Sequence, residues 1–150
     1  MTYRLIVAAV DLSAESTQVL DKARAEADSH GARLAVVTVV KALTQVYGGI
    51  DVAPLAGSAV SFEEQAIEQA KTQLRELGAR YGVEARDVHV VLGSPAHDIR
   101  ALADSLDADL IVIGSHGRHG LGLLLGSTAN ALLHGVERDV LAVRVRLDEG

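Results

Sequence analysis

Five short aliphatic runs, separated by stretches with helical spacing or by turn residues, restrict this chain more than any other feature. The first, Leu5-Ile6-Val7-Ala8-Ala9-Val10, ends at Asp11; the others are Leu34 to Val40, Val88 to Leu92, Leu110 to Ile113 and Val140 to Val145. None alternates apolar with polar residues, so each reads as a strand covered on both faces rather than one with a wet side. Buried parallel strands require crossover connections, and the intervening segments supply them. Ser13 stands as an N-cap, with Ser16 at the third helical position of a helix carrying Leu20, Ala23 and Ala27 and stopping at Gly31. Residues 44–60, with Gly48, Gly49, Pro54 and Gly57, lack periodicity and read as a long loop. Ser61 opens a second helix with Glu63 and Glu64 near its start, an apolar stripe of Ile67, Ala70, Leu74 and Leu77, and an end at Gly82. Ser94 as N-cap and Pro95 at the first helical position begin a third, with Ile99, Leu102, Ala103 and Leu106 inward. Ala129 to Leu133 make a fourth. The expected fold is α/β: a single doubly wound five-stranded parallel sheet, order 3-2-1-4-5, with helices on both faces.

A length of 150 residues suits one domain spanning 1–150, and 49% hydrophobic against 23% charged residues is the balance of a chain with a core. With one Phe, three Tyr and no Trp, that core must be filled by Val, Leu, Ile and Ala. The absence of cysteine excludes disulfides, thiolate metal sites and a Cys nucleophile. A formal net charge of −6 argues against nucleic acid, which needs a basic face. No apolar run approaches the ~18 residues of a membrane span, and no basic leader precedes Leu5; a cytoplasmic protein without membrane insertion is expected.

In open α/β sheets ligands sit beyond the carboxyl ends of the strands where the strand order reverses. For order 3-2-1-4-5 that point lies between strands 1 and 4, where Asp11 and Gly114 face one crevice. Four of the 14 glycines fall between Gly114 and Gly122, and Gly126 follows, so backbone there can approach a ligand closely. Ser127 and Thr128, at the start of the next helix, offer N–H groups and hydroxyls to phosphate oxygens, a mode of binding that needs no net positive charge. The same glycines would serve equally in a plain turn. The Lys of GxxxxGK[ST] is missing, and no GxGxxG follows the first strand.

Gly114-x2-Gly117, an eight-residue spacer and Gly126-Ser127 resemble the universal stress protein pattern of Gly-x2-Gly, usually nine residues, then Gly-Ser or Gly-Thr. The resemblance runs from Val10-Asp11-Leu12-Ser13 through Gly93-x-Pro95 to Asp139-Val140-Leu141-Ala142-Val143, and is most specific over residues 109–118. It implies ATP binding. Asp11 is similar to the strand-1 acid near the ribose and phosphates, its other role being to cap the following helix. Val39 is similar to the residue whose backbone pairs with adenine; Ile113 and Gly114 would flank the nucleotide; Gly117, Gly126, Ser127 and Thr128 would meet the phosphates. Arg118 either reaches the phosphates or is solvated. His116 and His119 flank the loop without an acidic third ligand nearby and suit packing better than zinc. Mg²⁺ is expected with ATP, because the negative balance leaves phosphate charge to neutralise.

The function expected is an ATP-binding regulatory stress-response protein that switches conformation or an as yet unknown protein partner. A catalytic base, nucleophile and orienting group are not evident, so an enzyme is not the first expectation. The alternatives are a dimeric interaction module with a vestigial nucleotide site and a slow ATP-hydrolysing or adenylylating enzyme, though the Ser-Gly-Gly-x-Asp-Ser and His-x-Gly-His signatures of adenylylation are absent. The last strand, apolar and at a sheet edge, would pair with its own copy in a homodimer, as the resemblance also implies, or stay soluble behind Arg144 and Arg146.

Overall fold

A computed structural model describes residues 2–41, 56–114, 131 and 137–146, with backbone alone for 56–61. Its elements are β1 (Leu5–Ala9), α1 (Ser16–His30), β2 (Arg33–Val40), α2 (Ala56–Ala79), β3 (Val88–Leu92), α3 (Pro95–Leu106), β4 (Leu110–Gly114) and β5 (Asp139–Val143). All pairings are parallel, in the order β3-β2-β1-β4-β5. The α/β class, the strand order and, among the described residues, the helical crossovers from β1 to β4 are those expected from the aliphatic runs.

Each continuous apolar run is divided by the period-two geometry of a strand into two separate cores. Ile6, Ala8 and Val10, with Leu34, Val36, Leu110 and Val112, face Val19, Leu20, Ala23 and Ala27 of α1 and Leu74 and Leu77 of α2. Val7 and Ala9, with Ala35, Val37, Ile111 and Ile113, face Ile99 and Ala103 of α3. Ile111 is fully buried, which contributes roughly 1.5–3 kcal/mol relative to an exposed side chain. Helices therefore lie on both faces, and the scarcity of aromatics is met by close approach over Ala8, Ala9, Ala23, Ala27, Ala35 and Ala103.

The amino ends of the strands are held by polar latches. Asp109 accepts the N–H groups of Arg4 at 2.7 Å and Leu5 at 3.0 Å, joining β4 to β1. Arg33 donates to the nearly buried Asp87, joining β2 to the turn before β3. Tyr3 donates its hydroxyl to Asp139 at 2.6 Å, joining the chain start to β5.

Three boundaries differ from expectation. The first helix begins at Ser16, with Glu15 in the N-cap place and no side-chain cap bond, so Ser13 is not its cap. Residues 11–15 form a turn before the helix instead, in which the Ser13 N–H donates to Asp11 Oδ1 at 3.0 Å and the Ser16 N–H to the Ser13 carbonyl at 3.1 Å. The second helix reaches back to Ala56, so residues 56–60 are helical rather than loop. Extending a helix costs far less than nucleating it, and a 24-residue helix can carry Gly57 and Ser58 in its first turn. The fifth strand leaves the ladder at Val143, although Val145 remains buried in the α1-side core. There the Gln18 side chain replaces a neighbouring strand: its Nε2 donates to the Arg146 carbonyl at 2.7 Å, and its Oε1 accepts the Arg146 N–H at 2.8 Å. Apart from Ala131, the expected fourth helix lies outside the described residues.

Candidate functional site

The carboxyl ends of β2, β1 and β4 form one rim, and the register fixes which residues share it. Ala9 lies between Val37 and Ile113, so Asp11 comes two residues beyond the end of β1, beside the exit of β4 at Gly114. Val39 is paired with Val91 on the other side of β2, one residue before that strand ends. The structure thus brings Asp11, Val39, Ile113 and Gly114 to one end of the sheet, at the reversal of strand order.

Their side chains differ in what they can do. Ile113 is fully buried in the α3-side core, and Val39 packs partly against the same core, so each would meet a ligand through backbone. Asp11 is the ionisable member. Its Oδ1 accepts the Ser13 N–H at 3.0 Å and the Ser16 hydroxyl at 3.2 Å. Asp11 therefore touches the turn and the first residue of α1 without capping the helix, whose N-cap place is held by Glu15, and among the described residues its Oδ2 accepts no hydrogen bond. Leu12 between them takes φ +61, the left-handed region, while its side chain packs against the α1-side core.

The β3–α3 connection borders the same rim. The Gly93 N–H donates to the Val40 carbonyl at 2.9 Å, tying the loop to the end of β2. Gly93 has φ +154, and a Cβ there would stand 2.1 Å from Asp98 Oδ2. That oxygen accepts the Ser94 N–H at 2.5 Å, so Asp98, four residues on, closes the start of α3 with Ser94 and Pro95 in the expected N-cap and first positions.

Gly117, Arg118, Gly126, Ser127 and Thr128, together with His116 and His119, lie outside the described residues. Among the described residues no group of three His, Asp or Glu side chains is placed to hold a metal ion. No described helix is long and apolar enough to cross a membrane. The residue that the sequence pattern underrates is Ser16: the pattern puts it one turn into a helix that in fact begins with it, and it is 1% exposed against Asp11. The only signal for it was a small hydroxyl residue at the head of an otherwise apolar stripe.

The model of the universal stress protein family matches residues 2–144. Universal stress protein A homolog 1 of Coxiella burnetii (strain RSA 493 / Nine Mile phase I) is 42% identical over 143 residues, which cover 95% of this chain and 97% of that protein. A universal stress protein crystallised in complex with cAMP superposes with a TM-score of 0.64 at 26% identity, over 96% of this chain and 98% of the other. The universal stress protein from Archaeoglobus fulgidus in complex with dAMP gives 0.56 at 25% identity, over 96% and 100%.

Proposed function

The chain belongs to the universal stress protein family, and from that premise we propose that it is an ATP-binding regulatory protein of the stress response, in which nucleotide occupancy biases a conformation or a partner interface. The observation that carries this reading is a carboxylate at the reversal of strand order in the sheet, with one oxygen that accepts no hydrogen bond among the described residues. The complexes of two similar proteins with cAMP and dAMP support an adenine nucleotide as the class of ligand. In this reading the backbone of Val39 meets the base, Asp11 the nucleoside, Ile113 and Gly114 the flank, and Gly117, Arg118, Gly126, Ser127 and Thr128 the phosphates. Mg²⁺ would be held mainly by phosphate oxygens and water, since the described residues supply no cluster of acids for it.

Calorimetry of the purified protein with Mg-ATP and with AMP is the test. Binding that is weakened but still measurable in Asp11→Ala supports the site; no heat with either ligand at millimolar concentration refutes it and favours an interaction module without a working nucleotide site. The second part of the reading is a homodimer through β5, an edge strand whose Val140, Leu141 and Val143 are only half-buried and whose Ala142 is exposed. Sedimentation should find a dimer that Val143→Lys shifts toward monomer; a wild type that stays monomeric at tens of micromolar refutes that part. The cytoplasm is the compartment proposed for it.

A further inference from the structure

Ser16 is the first residue of α1 and one of the few polar residues in the core, 1% exposed. A hydroxyl buried this far from water must find a partner, because an unmet one costs about 1–3 kcal/mol. It has a single proton to donate, and its Oγ lies 3.2 Å from Asp11 Oδ1. The same oxygen already takes the Ser13 N–H at 3.0 Å. A carboxylate oxygen has about two lone-pair directions, so Oδ1 is saturated by two donors, one from the turn and one from the helix. Two contacts from different parts of the chain on that oxygen restrict the rotation of the carboxylate more than one would. Among the described residues no hydrogen bond reaches Oδ2.

We propose that Ser16 is a positioning residue for nucleotide recognition: together with the Ser13 N–H it holds Asp11 as a one-oxygen acceptor. A carboxylate so fixed has only a lone pair to offer, so it takes a neutral donor from the ligand and repels a bare phosphate oxygen. The donors of that kind on an adenine nucleotide are the ribose hydroxyls and the exocyclic amine. This is the nucleoside end to which the reading above already gives Asp11, and Ser16, acting through it, sets a preference there. This inference rests on the nucleotide-binding reading above.

The experiment compares wild type, Ser16→Ala, Ser16→Thr, Asp11→Ala and the Ser16→Ala/Asp11→Ala pair by calorimetry with AMP and Mg-ATP. Ser16→Ala should weaken AMP and ATP by the same factor, about tenfold or ~1.4 kcal/mol. Ser16→Thr should restore most of the loss, because the hydroxyl returns. In the Asp11→Ala background the Ser16 substitution should cost nothing further, since there is no carboxylate left to hold. Deoxyadenosine monophosphate and the monophosphate of purine riboside, which lack a hydroxyl and the amine respectively, identify the donor: the ligand that has lost it should be indifferent to Ser16→Ala.

Unchanged affinity in Ser16→Ala overturns the proposal. So does a tenfold loss that persists in the Asp11→Ala background, which would mean a structural role alone, and so does a loss seen with ATP but not AMP, which would place Ser16 at the phosphates. Should Ser16→Ala fail to fold, Ser16→Cys, with similar volume and a weak donor, is expected between wild type and Asp11→Ala; wild-type affinity in it overturns the proposal equally. A wild type that binds no nucleotide removes the function proposed above and this inference with it, whereas binding by wild type with an unaffected Ser16→Ala removes only the inference.

Discussion

Replacing Gly93 by alanine tests whether the β3–α3 connection is built around a missing Cβ. The added atom would stand 2.1 Å from Asp98 Oδ2 and 3.0 Å from Asp98 Cγ, inside any tolerable contact, so the carboxylate must swing away. In moving it gives up the Ser94 N–H, now at 2.5 Å. A hydrogen bond to a charged group is worth about 1.5–3 kcal/mol, and solvent exposure at this site reduces that to about 1 kcal/mol. Alanine at φ +154 adds a backbone cost of roughly 1–2 kcal/mol. The sum, about 2–3 kcal/mol, corresponds to a fall in Tm of roughly 5–10 °C for a domain of this size. Urea unfolding of Gly93→Ala, of Asp98→Ala and of the double variant separates the two terms. The double variant relieves the clash but keeps the backbone strain, so it should be less damaged than the two single losses added together. Gly93→Ala within about 0.5 kcal/mol of wild type, a value typical of neutral surface changes, would refute the reasoning.

Three further outcomes follow from the packing and the charges. The N–H of Arg4, and then that of Leu5, hold the Asp109 carboxyl below the usual carboxylate range. Its contribution is therefore present above about pH 4 and lost as pH falls through the lower folded value, so Asp109→Asn should cost about 1 kcal/mol at pH 7 in urea unfolding, a difference that disappears in acid. Burial pushes His89 on β3 below the ordinary histidine value, against the opposing pull of Asp87, and its Nε2 is buried without a hydrogen-bond partner among the described residues. That contribution is present above about pH 6.5 and lost as pH falls below it, so stability measured against pH should show a decline that His89→Val flattens, with a gain of about 1 kcal/mol at pH 7. Gly78, buried in the last turns of α2, has room for a methyl group, which would meet Val83 at 3.4 Å, Val88 at 3.5 Å and Val36 at 3.7 Å. Gly78→Ala should stabilise the protein by about 0.5–1 kcal/mol in the same assay, and any loss would mean that those valines cannot yield.

Strand existence, parallel pairing and the place where the strand order reverses were legible in the chain because they follow from local pattern. An aliphatic run such as Leu5 to Val10 has no polar face to leave in water, so it must be covered twice, and double cover with helical crossovers leaves few topologies. The ends of the elements were less legible, because they depend on competition between nearby hydrogen-bond acceptors. Whether the helix starts after Ser13 or only at Ser16 is decided by where the chain turns at Leu12, whose side chain packs against the core. The reach of α2 back to Ala56 depends in the same way on the helix as a whole rather than on its weak first residues. Asp11 could be picked out by its place after strand 1, yet the use of Oδ1 could not, since the partner that occupies it is a serine five residues on, buried only once α1 has docked. The closure of Gly93 by Asp98 and the clamp of Gln18 on Arg146 belong to the same class. Periodicity in a sequence reports which faces are apolar, because burial is nearly additive; the direction of a single polar side chain is set by neighbours that only the folded chain brings within 3 Å of it.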